Sequence, residues 1–223
     1  MALGWFGPAL AAHVPSLAGA YGIECSLPRA NGIALTFDDG PHAEGTPAVL
    51  DELARRGARA TFFLVGEQVA RHRAIARRIV DEGHEVAVHG FAHTLLLRRR
   101  VREVADDYDR AVGAIGDATG VEPTVYRPPY GVFSSGALAE VRRRGWRPLL
   151  WSAWGRDWTR RATPASIARV ATRRLRPGDV VLLHDSDAYS SADSWRKTVE
   201  AVPSVLDAIA ALGVPAVAVS QST

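Results

Sequence analysis

A chain of 223 residues, 47% hydrophobic and 23% charged, is long enough to bury a core as one globular domain and too apolar for a disordered protein. Its net charge of +3 rests on arginine, with Lys197 as the only lysine, and this mild excess predicts no nucleic-acid partner. Cys25 is the only cysteine, which excludes an intrachain disulfide and a zinc site built on thiolates.

The first 30 residues are apolar, but Pro8, His13 and Pro15 interrupt them and no Lys or Arg precedes the apolar part. This pattern makes a poor export signal and is too short for a membrane span. We expect a helix in residues 1–30 that packs on a single domain formed by residues 31–223, with peripheral membrane contact as the alternative. A cytoplasmic monomer is predicted, with the cell envelope as the alternative location.

Strands and helices alternate along the rest of the chain. Predicted strands cover residues 32–37, 60–65, 84–89, 124–129, 147–153, 179–185 and 214–219. Predicted helices cover residues 46–57, 67–83, 98–118, 135–145, 163–175 and 196–212. Strands that are apolar on both faces and joined by helices indicate a parallel sheet of the α/β class. Seven such units either close into a (β/α)7 barrel or form an open doubly wound sheet.

The position of the polar residues favours the barrel, because they fall at the carboxyl ends of the predicted strands, where α/β folds place their active sites. The first strand ends at Asp38 and Asp39, two adjacent carboxylates in the segment LTFDDGPH. A strand-closing turn needs at most one of them. Together with two histidines four residues apart, His89 and His93, one aspartate would complete a catalytic metal set and the other would remain free as a base.

Each of these residues also has a structural interpretation. The Asp-Asp-Gly-Pro segment is a common turn, and two histidines can be satisfied polar groups. Arg127 either pins an aspartate or lies on the surface before a proline turn, and His184 is either a general acid or a buried structural histidine. Asp157 either orients His184 or caps a turn. Two groups outside these motifs also have two interpretations each.

One of those groups is a basic cluster, Arg98, Arg99, Arg100 and Arg102, which predicts either a solvated helix start or an anion-binding patch. The other is the loop YSSADSW. Its Tyr189 and Trp195 form either a sugar-stacking platform or ordinary loop packing.

Five motifs in one order resemble the polysaccharide deacetylase family, the family-four carbohydrate esterases with a NodB-homology domain. The motifs are TFDDGP (36–41), HGFAH (89–93), RPPY (127–130), DW (157–158) and LLH (182–184), and the resemblance runs from Gly32 to Val219. It implies a distorted (β/α)7 barrel of parallel strands with the active site at the carboxyl-terminal face. Gly90 departs from the family pattern, which commonly has Ser or Thr there and uses the hydroxyl to steady the loop.

The resemblance also implies roles for single residues. Asp39, His89 and His93 would hold Zn²⁺, with Co²⁺ or Ni²⁺ as alternatives, and Asp38 would be the base. His184 would be the acid, tuned by Asp157, while Arg127 would hold Asp38. The backbone N–H of Tyr130 would stabilise the oxyanion. The residues implied to contact the substrate are Leu182, Trp158, Pro129 and Tyr130.

The implied reaction is metal-assisted hydrolysis of an N-acetyl group on an N-acetylglucosamine-type sugar: peptidoglycan, a chitooligosaccharide or a small amino-sugar conjugate. The same mechanism on a non-sugar linear amide or a cyclic imide is the alternative substrate class. Two readings from other classes are a non-haem iron oxygenase, which also uses two histidines and a carboxylate, and a non-catalytic binding protein on the same scaffold.

Overall fold

The computed structural model describes residues 7–11 and 15–222 of the chain. A 3-10 helix covers Gly7–Leu10 and helix α1 covers Pro15–Ala20. The helix predicted for the first 30 residues therefore falls partly outside the described residues, at 1–6 and 12–14. Ala11 and Ala18 are buried in the main core. The monomeric state, the location and peripheral membrane contact stay predictions, and no described helix has the length and apolar character needed to cross a bilayer.

The rest of the described chain alternates strands and helices as predicted. The strands are β1 Ile33–Asp38, β2 Thr61–Leu64, β3 Glu85–Val88, β4 Val125–Tyr126, β5 Arg147–Pro148, β6 Ala153–Trp154, β7 Val180–His184 and β8 Ala216–Val217. The longer helices are α2 Gly45–Arg55, α3 Gly66–Arg71, α4 Arg73–Asp81, α5 Val101–Thr119, α6 Ser135–Arg143, α7 Pro164–Thr172 and α8 Ser194–Ala211. Further 3-10 turns cover Leu96–Arg98, Pro129–Gly131 and Val219–Ser222.

All strand pairs are parallel, in the order β5-β4-β3-β2-β1-β7-β6, and β8 adds to β1. The predicted α/β fold class, a distorted parallel barrel with surrounding helices, is confirmed. Helix α5 shows why its sequence packs, since Val104, Tyr108, Ala111 and Ile115 recur at helical spacing and are all buried.

Two predicted elements differ in detail. The strand predicted at 147–153 is two short strands, because this segment crosses the gap between the two edges of the sheet. Leu149 N–H donates to Tyr126 O of β4, and three residues later Ser152 N–H donates to Val180 O of β7. No single straight strand can bond to both. The helix predicted at 67–83 is broken at His72, whose φ of −128° and ψ of 45° are not helical.

Side chains inside the barrel follow the alternation of the strands. Ala34, Phe63, Ala87, Val125 and Val180 form a small apolar cluster separate from the larger core under the helices. Positions two or four residues further along these strands point the same way. This parity carries polar side chains to the inside of the barrel's carboxyl-terminal mouth: Asp38, His89, Arg127 and His184.

Candidate active site

The metal ligands predicted from the sequence converge on one point. Asp39 Oδ1 lies 3.5 Å from His89 Nε2 and 3.3 Å from His93 Nε2, and the three ligand atoms lie within 4.8 Å of one another. The Asp39 oxygen is buried and has no hydrogen-bond partner in the described part of the chain. A buried carboxylate oxygen without a partner is unfavourable unless a cation or water completes it, so this donor set fits a divalent metal.

The surroundings of Asp39 and His93 shift the pKa of both groups in the direction that favours metal binding. Burial alone raises the pKa of the Asp39 carboxyl, but the surrounding imidazoles more than reverse this and hold that pKa below its usual value. Burial lowers the pKa of His93 to about 4. At neutral pH the set is therefore a carboxylate and a neutral imidazole at these two positions, the protonation states that a metal requires.

The backbone fixes how the ligands are presented. Asp39 adopts a left-handed φ of 77°, which turns the chain sharply at the end of β1 and separates its side chain from that of Asp38. His89 Nδ1 lies 2.8 Å from the carbonyl oxygen of Arg127, to which it donates when Nε2 is the ligand. The ring of His93 stacks on that of Tyr189, with 4.2 Å between centroids.

Arg127, whose guanidinium stays positively charged, lies behind Asp38. Arg127 Nη1 donates to Asp38 Oδ1 at 2.6 Å and to Thr36 Oγ1 at 2.9 Å, while Nη2 donates to Leu150 O at 2.8 Å. The guanidinium lies over the Phe63 ring and its side chain is 0% exposed. Asp38 is thus held in one orientation by a donor that stays charged, and Oδ2 is left toward the metal ligands, 3.9 Å from His89 Nε2.

A second charge pair, His184 with Asp157, is built on β7, the strand beside β1. His184 ends β7, and its Nδ1 lies 2.9 Å from Asp157 Oδ1. The other oxygen of Asp157 accepts from the His184 backbone N–H at 2.7 Å and from Thr198 Oγ1 at 2.8 Å. Burial alone lowers the pKa of His184, but the charge and hydrogen bond of Asp157, with lesser effects from Asp39 and Asp38, raise it to about 10.

These groups meet in one cleft of about 470 Å³. Its lining comprises Asp38, Asp39, His89, His93, Tyr130, Gly131, Trp151, Trp154, Trp158, Leu182, His184, Tyr189 and Ser190. Carboxylate, imidazole and imidazolium therefore face a single space bordered by aromatic rings. Such an arrangement suits metal-assisted hydrolysis with an acid and a base at fixed positions.

Comparison with known proteins places this cleft in a family. The profile described as Polysaccharide deacetylase matches residues 28–149. The chain belongs to the polysaccharide deacetylase family. It is accordingly an enzyme that hydrolyses amide C–N bonds other than peptide bonds, which sets aside the iron-oxygenase and binding-protein alternatives.

Curated relatives and a solved structure extend the comparison. A chitooligosaccharide deacetylase of Bradyrhizobium sp. (strain ANU 289) is 38% identical over 184 residues, which are 79% of this chain and 84% of that protein. A peptidoglycan-N-acetylglucosamine deacetylase of Listeria monocytogenes is 36% identical over 72% of this chain, which spans only 34% of that longer protein. The structure of the Bc1960 peptidoglycan N-acetylglucosamine deacetylase superposes with a TM-score of 0.85 at 27% identity, covering 93% of this chain and 95% of that one.

The four residues that the family resemblance implies as substrate contacts do not all border the cleft. Leu182 and Trp158 border the cleft beside His184, and the Trp158 and His184 ring centroids are 5.4 Å apart. Tyr130 also borders the cleft and is 57% exposed. Pro129 is buried in the turn behind it.

The two aromatic residues of the YSSADSW loop lie in different surroundings. Tyr189 borders the cleft and accepts a hydrogen bond from Gln68 Nε2 at 3.1 Å, while its hydroxyl donates to Glu67. Trp195 is 7% exposed at the start of α8, where it packs on His42. The structure therefore brings Tyr189 to the cleft, whereas Trp195 is part of the loop packing.

Three features of the deacetylase site were not foreseen from the sequence. Asp107, on α5, accepts from Phe91 N–H at 2.8 Å and Ala92 N–H at 3.1 Å and so holds the loop between His89 and His93. It offers the support that the missing hydroxyl at Gly90 would give. The helical spacing of Val104 and Ala111 places position 107 on the buried side of α5. A carboxylate at a buried position was the sequence signal that could have identified Asp107.

The second unforeseen feature is Asp185, which directly follows β7. It is fully buried beneath the Asp-Asp-Gly-Pro turn and accepts a hydrogen bond from the Thr46 hydroxyl. Burial raises its pKa to about 7, and the nearby Asp39 charge acts in the same direction. A Cβ atom on Gly40 would lie 2.4 Å from Asp185 Oδ2, which explains why the turn has glycine at this position.

Trp151 and Trp154 are the third unforeseen feature. With Trp158 they form a row of rings along one wall of the cleft, with successive centroids 5.9 and 5.4 Å apart. The sequence hides this row because Trp151 lies in the segment predicted as one strand, residues 147–153, and Trp154 directly follows it.

Proposed function

We propose that this enzyme is a metal-dependent deacetylase that removes N-acetyl groups from N-acetylglucosamine-type sugars, with zinc as its metal. One observation carries the proposal. The three metal ligands, the Asp38–Arg127 pair and the His184–Asp157 pair all border or back the same aromatic-lined cleft. The names of the relatives that act on chitooligosaccharide and peptidoglycan support the sugar as substrate.

Asp39, His89 and His93 would hold the metal. Two imidazoles and one carboxylate form a donor set that zinc uses in catalytic sites, and Co²⁺ and Ni²⁺ accept the same donors. A bound ion would polarise the amide carbonyl and lower the pKa of a coordinated water.

Asp38 is the proposed general base. Its Oδ1 is committed to Arg127, so Oδ2 is the atom that accepts a proton from the attacking water. The guanidinium holds this oxygen toward the metal ligands throughout the reaction. The base is therefore distinct from the neighbouring ligand Asp39, which explains why the strand ends in two aspartates.

His184 is the proposed general acid. With Nδ1 committed to Asp157, the proton on Nε2 is the one available to the leaving nitrogen. A pKa near 10 keeps the imidazole protonated at neutral pH before amide cleavage. Leu182 and Trp158 would enclose the acetyl methyl group next to this acid, and the backbone N–H of Tyr130 would stabilise the oxyanion.

The test is acetate release from N-acetylglucosamine, chitooligosaccharides and peptidoglycan fragments, before chelation, after chelation and after return of zinc. We expect release that disappears with chelation and returns with zinc, while His93→Gln, which lacks one ligand, stays inactive. Release that persists without metal would contradict the metal role. A metal-loaded enzyme that releases no acetate from any sugar would move the substrate to non-sugar amides or cyclic imides.

A further inference from the structure

A second groove of about 490 Å³ lies beside the catalytic cleft and is strongly basic. Its lining residues are Ser152, Ala153, Trp154, Arg156, Arg169, Val170, Ala171, Arg173, Arg174, Arg176 and Asp179. Five of these are exposed arginines and one is an acid. We call this feature the arginine groove.

The arginines of the groove lack acidic partners, whereas several arginines elsewhere on the surface have them. On α4, for example, Arg77 and Arg78 form ion pairs with Asp81 and Glu82, and on α6 Arg143 pairs with Glu140. Among the described residues, no carboxylate forms an ion pair with any of the five groove arginines. The sequence explains this, since residues 158–178 contain six arginines and no Asp or Glu.

The single acid of the groove does not neutralise it. Asp179 Oδ1 accepts from Ser152 Oγ at 2.7 Å, and Oδ2 accepts from the backbone N–H of Arg176 at 2.6 Å. Both oxygens are therefore engaged in holding the loop before β7. The guanidiniums remain available to an anion from outside the chain.

Trp154 connects the arginine groove to the catalytic cleft, because it lines both. Its ring stacks with Trp151 inside the cleft, and the Arg156 guanidinium lies 4.9 Å from the ring centroid. A polymer that places one sugar in the cleft can continue across this ring toward the arginines. A chain bound in this way would bring substituents of a neighbouring unit to the guanidiniums.

We propose that the arginine groove binds the carboxylates of an acidic glycan whose N-acetylated sugar occupies the cleft. Planar guanidinium groups match carboxylates by paired hydrogen bonds, which suits arginine better than lysine for this task. The proposal rests on the proposed sugar deacetylation and names the substrate more closely: a glycan with acidic units is preferred over a neutral chitooligosaccharide.

The test uses two matched substrates of nearly the same shape, one charged and one neutral. These are muramyl-containing oligosaccharides with free carboxylates and the same oligosaccharides converted to carboxamides, with neutral chitooligosaccharide as the third substrate. The variant Arg169→Gln/Arg173→Gln/Arg174→Gln removes three groove charges. Arg98→Gln/Arg100→Gln/Arg102→Gln removes the same charge from a cluster that borders neither the cleft nor the groove.

We expect the groove variant to raise KM about tenfold for the acidic substrate, with kcat and the neutral substrates unchanged. The preference of the unaltered enzyme for acid over amide should weaken with added salt. The control variant should keep the preference. An unchanged acid-to-amide ratio in the groove variant, or an equal change in the control, would overturn the proposal.

Equilibrium binding of the two oligosaccharides by calorimetry separates this proposal from the proposed function. If no sugar is deacetylated, the proposed function fails, and the binding difference between acid and amide still decides the role of the groove. Acid-selective binding that the groove variant loses supports the groove. Equal binding of acid and amide refutes it.

Discussion

Two charge pairs lie at the cleft, and they place opposite charges toward it. In one pair, the carboxylate of Asp38 borders the cleft and the cation of Arg127 lies behind it, 0% exposed. In the other, His184 borders the cleft with 14% of its side chain exposed, and the carboxylate of Asp157 lies behind it, 0% exposed. Each group that faces the substrate is thus supported by a fully buried group of opposite charge.

The difference between the pairs indicates their chemistry. A carboxylate backed by a permanent cation is arranged to accept a proton, and an imidazole backed by a carboxylate is arranged to carry one. The buried partner never needs to touch the substrate. It sets the charge and the orientation of the residue that borders the cleft. The substitutions below test these separate roles of the buried and the bordering residue.

The largest effect is expected from Asp38→Asn. The substitution keeps the shape but removes the proton acceptor, so turnover should fall by about 10² to 10⁴ or more. All three metal ligands remain, and metal analysis should still find the ion in the purified variant. Asp39→Asn is the matched control, since it should lose metal and activity together. Near-normal acetate release by the Asp38 variant would show that another group is the base.

Arg127→Met tests the buried cation through stability. It leaves the Asp38 carboxylate buried without a counter-charge and removes the donor to Leu150 O, so the free energy of unfolding should fall by about 3–5 kcal/mol. Urea unfolding measures this. The double variant with Asp38→Asn should lose less than the sum of the two single losses. Strict additivity would mean that the two side chains do not stabilise each other.

That the predicted metal ligands and both pairs lie at one mouth of the barrel could be expected from the sequence for a physical reason. Asp38, His89, Arg127 and His184 each end or follow an apolar strand, and parallel strands bring their carboxyl ends to one mouth. Strand alternation then places these side chains on the inside. Local pattern could therefore place at one mouth residues separated by 146 positions, from 38 to 184, whereas their separate roles were implied only by the family resemblance.

The remaining features depend on contacts that no local pattern contains. The break in the segment 147–154 follows from bonding first to β4 and then to β7, which lie at different positions in the sheet. Asp107 supports the histidine loop from a helix 15 and 16 positions away in sequence. The arginine groove exists because residues 152–156 lie against α7 and the loop that follows it, and this packing is not visible as a motif.

Asp157→Asn tests the buried carboxylate through pH. In the metal-free protein the pKa of His184 is raised from 6.5 to about 10, so its contribution to stability is complete below pH 6.5 and is lost as pH rises through about 10. Removing the Asp157 charge lowers that pKa. The fall in unfolding free energy between pH 6.5 and 10 should shrink, and the alkaline limb of kcat should move to lower pH.

Two measurements check this expectation: urea unfolding of the metal-free protein across that pH range, and kcat of the zinc-loaded enzyme against pH. His184→Asn is the reference for the unfolding experiment, because it lacks the titrating group and should remove the same pH-dependent contribution. An Asp157 variant whose two profiles coincide with those of the unaltered enzyme would show that Asp157 does not set the proton affinity of His184.

The smallest effect is expected from Thr198→Val, which separates the charge of Asp157 from its hydrogen bonds. The substitution keeps nearly the same volume and removes one donor to Asp157 Oδ2, at 2.8 Å, so the unfolding free energy should fall by about 0.5–1.5 kcal/mol. The carboxylate keeps its charge and both contacts with His184. The alkaline limb of kcat should therefore move by no more than about one pH unit, since one full unit corresponds to about 1.4 kcal/mol. A shift as large as that of Asp157→Asn would mean that the orientation of the carboxylate, rather than its charge, keeps the acid protonated.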